Sequence, residues 1–394
     1  MAIYLDHAAT TPLRHEALEA MLPYLGGAFG NPSSAHSFGR VARNALDEAH
    51  ERLATSLGGS AREIVITSGG TEANNLAING AAWAGKARGH RLVTSAVEHH
   101  AVGHAMRHLE KFGFEVVEVP VDRYGRVDPD ELDAAVDDRT ILVSVMMANN
   151  EVGTVQPIRE IAERVRARRG ILFHVDAVQA APTLDLDVGE LGADLVTISA
   201  HKFEGPKGVG ALWIRRGTQL LAQVHGGSQE RHRRAGTENV AGAVGMAVAY
   251  ECACADRPTT AIRLRALRSR LAAACLAVDG VEMTGHPTER LPGLLSLRVR
   301  GADGVAISVA LDLDGIAAST GSACSTGSPE PSHVLTAMGY TDAEARGALR
   351  LSMGRATTDA EVGEACFVVP RVIAEIRDGS AAQAADPLGV RLGA

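Results

Sequence analysis

Four short stretches carry side chains that could do chemistry, and each stands where an apolar run gives way to polar residues. In SAHKFEGPKG, Lys202 follows His201 into a loop of glycine and proline. A partly desolvated lysine at such a place can lose its proton and condense with a carbonyl compound. In FHVDAVQ, Asp176 ends an apolar run, where a carboxylate is costly unless it meets a cation. In TSGGTEANN, Ser68, Gly69, Gly70 and Thr71 join a strand-like run to a helix-like one. Free backbone N–H groups and the helix dipole favour an anion at that corner, and glycine lets it come close. In AVEHHAVGH, His99 offers a flat ring where a strand passes into a helix. Each has a plain structural alternative: Lys202 a surface charge, Asp176 a helix cap, the glycines a turn, His99 a packed ring. Together they are the parts of a pyridoxal 5'-phosphate site. The lysine would hold the aldehyde, the corner the phosphate, the acid the pyridine nitrogen, and the histidine would stack on the ring. A dinucleotide site would require Gly-x-Gly-x-x-Gly after the first strand, which SGGTEANN does not supply.

Those residues need a framework that ends several strands side by side. From about residue 62 the chain alternates strand-like and helix-like runs. EIVITSG (63–69), RLVTSAVEHHAV (91–102), TILVSVMMANNEVG (140–153), ILFHVDAVQA (171–180) and ADLVTISAHK (193–202) read as buried strands with polar C-terminal ends; TEANNLAINGAAWAG (71–85) and IREIAERVRARRG (158–170) read as helices. Continuous apolar strands alternating with helices predict an α/β fold: a mostly parallel sheet covered on both faces. In such sheets ligands bind at the carboxyl ends of the strands. Composition shifts at ADRPTTAIRLRALRSRLAAACL (255–276), where Pro258 and two threonines read as a helix start and the arginines as a solvated face. Strand-like LLSLRVR (294–300) and ALRLSMG (348–354) follow, and the tail 379–394 has little to bury. The expected division is a large domain at 15–258 and a smaller α+β domain formed by 1–14 and 259–394.

A chain of 394 residues with 46% apolar residues can bury a sizeable core. A net charge of -8 argues against nucleic-acid binding as the main task. No apolar run reaches the roughly 18 residues of a membrane span, and the N-terminus lacks a signal-peptide pattern. Cys252, Cys254, Cys275, Cys324 and Cys366 are an odd set of five that fits neither a disulfide framework nor a four-ligand zinc site, so no metal is expected. They read as reduced thiols of a cytoplasmic protein, with Cys252 and Cys254 packed on a helix. Cys324 stands apart, in the polar STGSACSTGSPEP (319–331).

The sequence resembles the NifS/IscS-type cysteine desulfurases of the class V aminotransferase superfamily, which have the fold type I architecture. The matching segments run in order: YLDHAATTP, GNPSSAH, TSGGTEANNLAI, VEHHAV, NNEVGTVQPI, HVDAVQA, SAHKFEGPKGVGAL, HGGSQERHRRAGTENV, STGSACSTGSPEPSHVL and LRLSMGRATT. The resemblance implies a seven-stranded sheet sandwiched by helices and a small domain that carries the cysteine loop. It implies that L-cysteine is converted to L-alanine, with the sulfur passing to Cys324 as a persulfide. The sulfur would go on to a protein acceptor such as an iron–sulfur scaffold or a thiolation protein.

The resemblance also implies roles residue by residue. Lys202 would bind the cofactor and move the Cα proton, with Asp176 on the pyridine nitrogen, Gln179 on the ring oxygen and His99 stacked on the ring as a proton manager. Gly70, Thr71, Ser199 and His201 would hold the phosphate, and Thr237 would reach the phosphate of a neighbouring subunit, which implies a homodimer. Asn150 would orient cofactor and substrate, and Arg350 would take the substrate carboxylate in a bidentate pair. Arg355 reads as structural, and Arg231, Arg233 and Arg234 as a solvated basic cluster or, alternatively, as a contact for an acidic dimer partner or a helper near the site entrance. Two departures are visible: Glu204 stands where an aromatic residue is common, and the cysteine loop begins STGSAC rather than SSGSAC. The rival readings are a selenocysteine lyase or another class V enzyme, which share the site, a catalytically silent sulfur-relay subunit, and a nicotinamide-linked dehydrogenase.

Overall fold

A computed structural model describes residues 2–321 and 331–385; Cys324 and most of its loop lie outside the described residues. Among the described residues twelve strands fall in three sheets. They are β1 (Ile3–Tyr4), β2 (Ile64–Thr67), β3 (Arg91–Ser95), β4 (Glu115–Val119), β5 (Thr140–Met146), β6 (Leu172–Asp176), β7 (Leu195–Ser199), β8 (Gly210–Ile214), β9 (Val281–Met283), β10 (Leu294–Val299), β11 (Ile316–Ala317) and β12 (Ala348–Ser352). The central sheet has seven strands in the order β2-β8-β7-β6-β5-β3-β4. It is parallel from β7 to β4, while β8 runs antiparallel to both of its neighbours.

Burial explains the continuous apolar runs. All seven residues of β5 and all five of β7 are buried, as expected where helices cover both faces of a sheet. The helix Gly70–Gly85 packs Leu76, Ala77, Ile78 and Ala81 into one apolar cluster with β3 and β5, and the helix Ile158–Arg166 packs Ile161 and Val165 into another on the opposite side. A third cluster joins Ile3 and Leu5 to Leu264, Leu271, Leu295, Leu349 and Ile373. β1 pairs with β11, and β12-β10-β9 form an antiparallel sheet. The N-terminal strand is thus built into the same layer as the last third of the chain.

Four expectations are corrected. Pro258 does not start a helix: Val240–Leu276 is one helix of 37 residues. Its residues 240–250 are anchored in the large core and Leu264, Leu267 and Leu271 in the other. Packing at both ends outweighs the hydrogen bond that proline deletes in between. The arginines on this helix are a solvated face only in part: Arg265 and Arg270 are exposed, whereas Arg263 and Arg268 are half-buried. Arg263 donates to the carbonyls of Thr357 and Arg355, Arg268 to that of Leu291, and Arg270 to that of Asp359. Nor is the cluster at 231–234 simply solvated: Arg231 donates to the carbonyls of Ile64 and Ala61, and Arg234 pairs with Glu72. The start of the tail is helical, because the helix Asp359–Ala385 includes 379–385. Cys252 and Cys254 are half-buried on the long helix, as expected.

Candidate active site

The carboxyl ends of β5, β6 and β7 open into a cavity of about 390 Å³. Its lining includes Gly70, Thr71, His99, Asn150, Asp176, Gln179, Ser199, His201, Lys202 and Arg350. The structure therefore brings ten of the twelve anticipated residues to one place. Thr237 is exposed and does not line the cavity, and Cys324 lies outside the described residues.

Lys202 ends a single 3-10 turn, Ala200–Lys202, that follows β7 directly. Its Nζ donates to the carbonyls of Ala8 at 2.6 Å and Ala9 at 2.8 Å. Asp176, the last residue of β6, is buried; its Oδ2 accepts from Asn74 Nδ2 at 2.7 Å and its Oδ1 from the Val178 N–H at 3.0 Å. No cation pairs with it among the described residues. A buried carboxylate so arranged suits an N–H⁺ donor arriving from the cavity. Gln179 donates from Nε2 to the Ala8 carbonyl at 2.9 Å. The neighbouring turn carries the anion features. Gly69, with φ of +151°, precedes the helix Gly70–Gly85, and no side chain caps that N-terminus. A Cβ at Gly70 would meet Val178 Cγ2 at 3.0 Å, so glycine keeps the corner open. The hydroxyls of Thr71 and Ser199 make no hydrogen bond among the described residues. They and the first-turn N–H groups are the donors that a phosphate requires.

Burial and the neighbouring Lys202 and Lys207 bring the His201 pKa down to about 4, so its ring is neutral near pH 7. Its Nδ1 lies 3.1 Å from Thr10 Oγ1; with Nδ1 accepting from that hydroxyl, Nε2–H is left to donate. His99 caps the helix His100–Glu110, its Nδ1 accepting from the Ala101 N–H at 3.1 Å. Beside it Glu98 is fully enclosed; its Oε1 accepts from Ser95 Oγ at 2.6 Å and the Met146 N–H at 2.8 Å. Burial pushes Glu98 up to about 8, and the charge of Asp176 adds to the rise.

Arg350 enters from β12 with its side chain 3% exposed. Nη1 donates to the carbonyls of Asn150 at 2.9 Å and Gly321 at 3.2 Å, and Nη2 to Asp6 Oδ1 at 2.8 Å. Nε is buried without a hydrogen-bond partner among the described residues. Arg355 takes the structural place expected of it: its Nε pairs with Glu204 at 2.7 Å, and Glu204 also binds Arg14 Nε at 3.2 Å. Glu204 has a φ of +63°. Its N–H donates to Thr11 Oγ1 at 2.8 Å, which fixes this left-handed backbone.

Sequence reasoning missed Asn74, Asp6 and the carbonyls of Ala8 and Ala9. Asn74 stood in the quoted TSGGTEANN, three residues past Thr71 and one helical turn behind it. The carbonyls carry no side-chain signal. These residues fit pyridoxal 5'-phosphate: a lysine, a buried carboxylate without a cation and an uncapped helix N-terminus face one cavity of ligand size.

Comparison with known proteins agrees with this geometry. The family described as Aminotransferase class-V matches residues 3–364. The chain is 48% identical over 379 residues to "Cysteine desulfurase IscS" of Methanosarcina thermophila, covering 96% of this chain and 94% of the relative. Among solved structures, a "NIFS-LIKE PROTEIN" superposes with a TM-score of 0.90 at 37% identity, covering 95% of this chain and 100% of that one. "SspA in complex with cysteine" superposes with a TM-score of 0.78 at 34% identity, covering 89% of this chain and 98% of that one.

Proposed function

The chain belongs to the class-V aminotransferase family, and from that membership we propose that it acts as a cysteine desulfurase, converting L-cysteine to L-alanine and passing the sulfur to Cys324. The observation that carries the reading is the single cavity that gathers Lys202, Asp176, an open anion corner and Arg350. The substrate is supported by the relatives named cysteine desulfurase and by the neighbour solved with cysteine.

Pyridoxal 5'-phosphate, the cofactor of this family, supplies an aldehyde that captures amines and a ring that accepts electrons released at Cα. Lys202 would hold that aldehyde and, once its Nζ is released, remove the Cα proton. Asp176 would keep the ring nitrogen protonated, Gln179 would meet the ring oxygen, and His99 would stack on the face. Thr71, Ser199, His201 Nε2–H and the amides after Gly70 would hold the phosphate. Asn150 would orient the substrate, and Arg350 would receive its carboxylate. The unpartnered Nε–H supports that role, since it is a buried donor on a residue that lines the cavity. Cys324 stands three residues beyond Gly321 in the sequence, and Gly321 is part of the cavity lining. Its thiolate would attack the substrate sulfur. The S–S bond forms as the C–S bond breaks, and the electron pair of that bond stays with carbon, which is protonated and leaves as alanine.

The large and small domains proposed at 15–258 and at 1–14 with 259–394 are supported by the separate apolar clusters. A homodimer is supported by an exposed apolar face with Leu22 at 55%, Leu25 at 63% and Phe29 at 73% accessibility, and by Thr237, which stands outside its own cavity. A protein acceptor would take the sulfur onward. Among the described residues no helix is long and apolar enough to cross a membrane; the reduced cysteines support a cytoplasmic setting. The test is alanine release from L-cysteine by the wild type and by Cys324→Ala. The reading predicts release by the wild type and almost none by the variant, which still binds L-cysteine; undiminished release by the variant removes Cys324 from the mechanism.

A further inference from the structure

Arg350 is gripped by a residue whose side chain does not line the cavity. Asp6 Oδ1 accepts from Nη2 at 2.8 Å, while Nη1 gives its hydrogens to the carbonyls of Asn150 and Gly321. A guanidinium has five N–H donors, so Nε–H and one Nη2–H remain. With Asp6 accepting the Nη2 hydrogen on the Nη1 side, the two lie on one edge of the fork, the pair a carboxylate takes in bidentate fashion. Nε is buried and unpartnered among the described residues. Asp6 is itself held: it bridges to Ser352 in parallel register, and its carbonyl accepts from Tyr4 Oη at 3.0 Å. The Asp6 side chain is 19% exposed against 3% for Arg350, so the pair is largely screened from water and the contact is not an ordinary surface ion pair.

We propose that Asp6 is a positioning residue for substrate recognition: its carboxylate clamps Arg350 so that the Nε–H/Nη2–H edge stays presented to the α-carboxylate of the substrate. The inference rests on the reading of Arg350 as the carboxylate-binding arginine. Two properties of Asp6 act with opposite sign. Its oxygen fixes the orientation of a long side chain, which would otherwise lose rotamer freedom on each binding event. Its charge offsets part of the guanidinium charge and weakens the attraction for a second carboxylate. Asparagine keeps the oxygen and removes the charge; alanine removes both.

The experiment titrates the holoenzyme calorimetrically with L-alanine and with ethylamine, which lacks the carboxylate, and measures KM and kcat for L-cysteine. Loss of a charge-assisted hydrogen bond predicts that Asp6→Ala binds L-alanine about tenfold more weakly. KM for L-cysteine rises by a similar factor, while kcat stays within about threefold. Asp6→Asn is expected to bind L-alanine as tightly as the wild type or more tightly, and ethylamine binding is unchanged in both. Unchanged L-alanine affinity in Asp6→Ala, an equal loss in Asp6→Asn, or an equal loss for ethylamine overturns the proposal. Arg350→Lys separates the two levels. If it weakens L-alanine alone while Asp6→Ala is silent, only the role of Asp6 fails; if Arg350→Lys is silent, the reading of Arg350 fails and the proposal falls with it.

Discussion

The carboxyl ends of β6 and β7 and the N-terminal segment 6–14 meet at the same cavity with different means. The strand ends contribute side chains: Asp176, Ser199, His201 and Lys202. The N-terminal segment contributes mainly backbone and hydroxyls. The carbonyls of Ala8 and Ala9 accept from Lys202, Thr10 meets His201, and Thr11 Oγ1 donates to the His201 carbonyl at 2.8 Å. The strands are fixed by ladder hydrogen bonds and complete burial; residues 6–14 have no regular structure and are fixed by contacts to what they hold. Reactive groups sit on the rigid framework, and an irregular segment sets how those groups point.

The comparison is sharpened by substitutions on each side. Lys202→Ala, on the strand side, is expected to lower L-cysteine turnover by about 10³-fold or more, measured by alanine release; a loss of under tenfold would break the assignment of chemistry to the strand ends. Glu204→Ala, where the lysine loop meets the N-terminal segment, strips Arg14 and Arg355 of a shared carboxylate. Arg14 is 3% exposed but keeps Asp256 as a partner, so the expected cost is about 2 kcal/mol of stability in urea unfolding, with turnover changed far less than by Lys202→Ala. Thr11→Val leaves the Glu204 N–H without an acceptor and is expected to cost about 1–2 kcal/mol. A catalytic loss equal to that of Lys202→Ala would show that the segment does chemistry itself.

The remaining effect concerns pH. Glu98 is protonated when folded up to about pH 8 and ionised when unfolded above its ordinary value. Its contribution to stability is therefore complete below about pH 4.5 and is lost as pH rises toward 8. Glu98→Gln removes this dependence. Its thermal stability relative to the wild type should grow by about 1 kcal/mol per pH unit between pH 5 and 8 and level off above. A flat difference would mean that Glu98 is ionised in the fold.

Much of the sheet and of the site was legible because apolar strands ending in His201–Lys202, Asp176 and Asn150 signal both burial and chemistry. β4, with Glu115 and Glu118 on a half-buried strand, lacked that contrast, and β8 is a short run among glycines. The helix through Pro258 was not legible because distant packing decides it. The grip on Lys202 was not legible because carbonyl oxygens are common to every residue, and Asp6 gained its meaning only when β12 brought Arg350 alongside it.

The most direct measurement is intact-protein mass spectrometry after one equivalent of L-cysteine is added to the holoenzyme without reductant, with alanine quantified in the same sample. The account predicts one additional sulfur atom, located on Cys324 by peptide mapping, and one equivalent of alanine. Alanine formed with all of the sulfur released and none on Cys324, or a sulfur adduct without alanine, would contradict it.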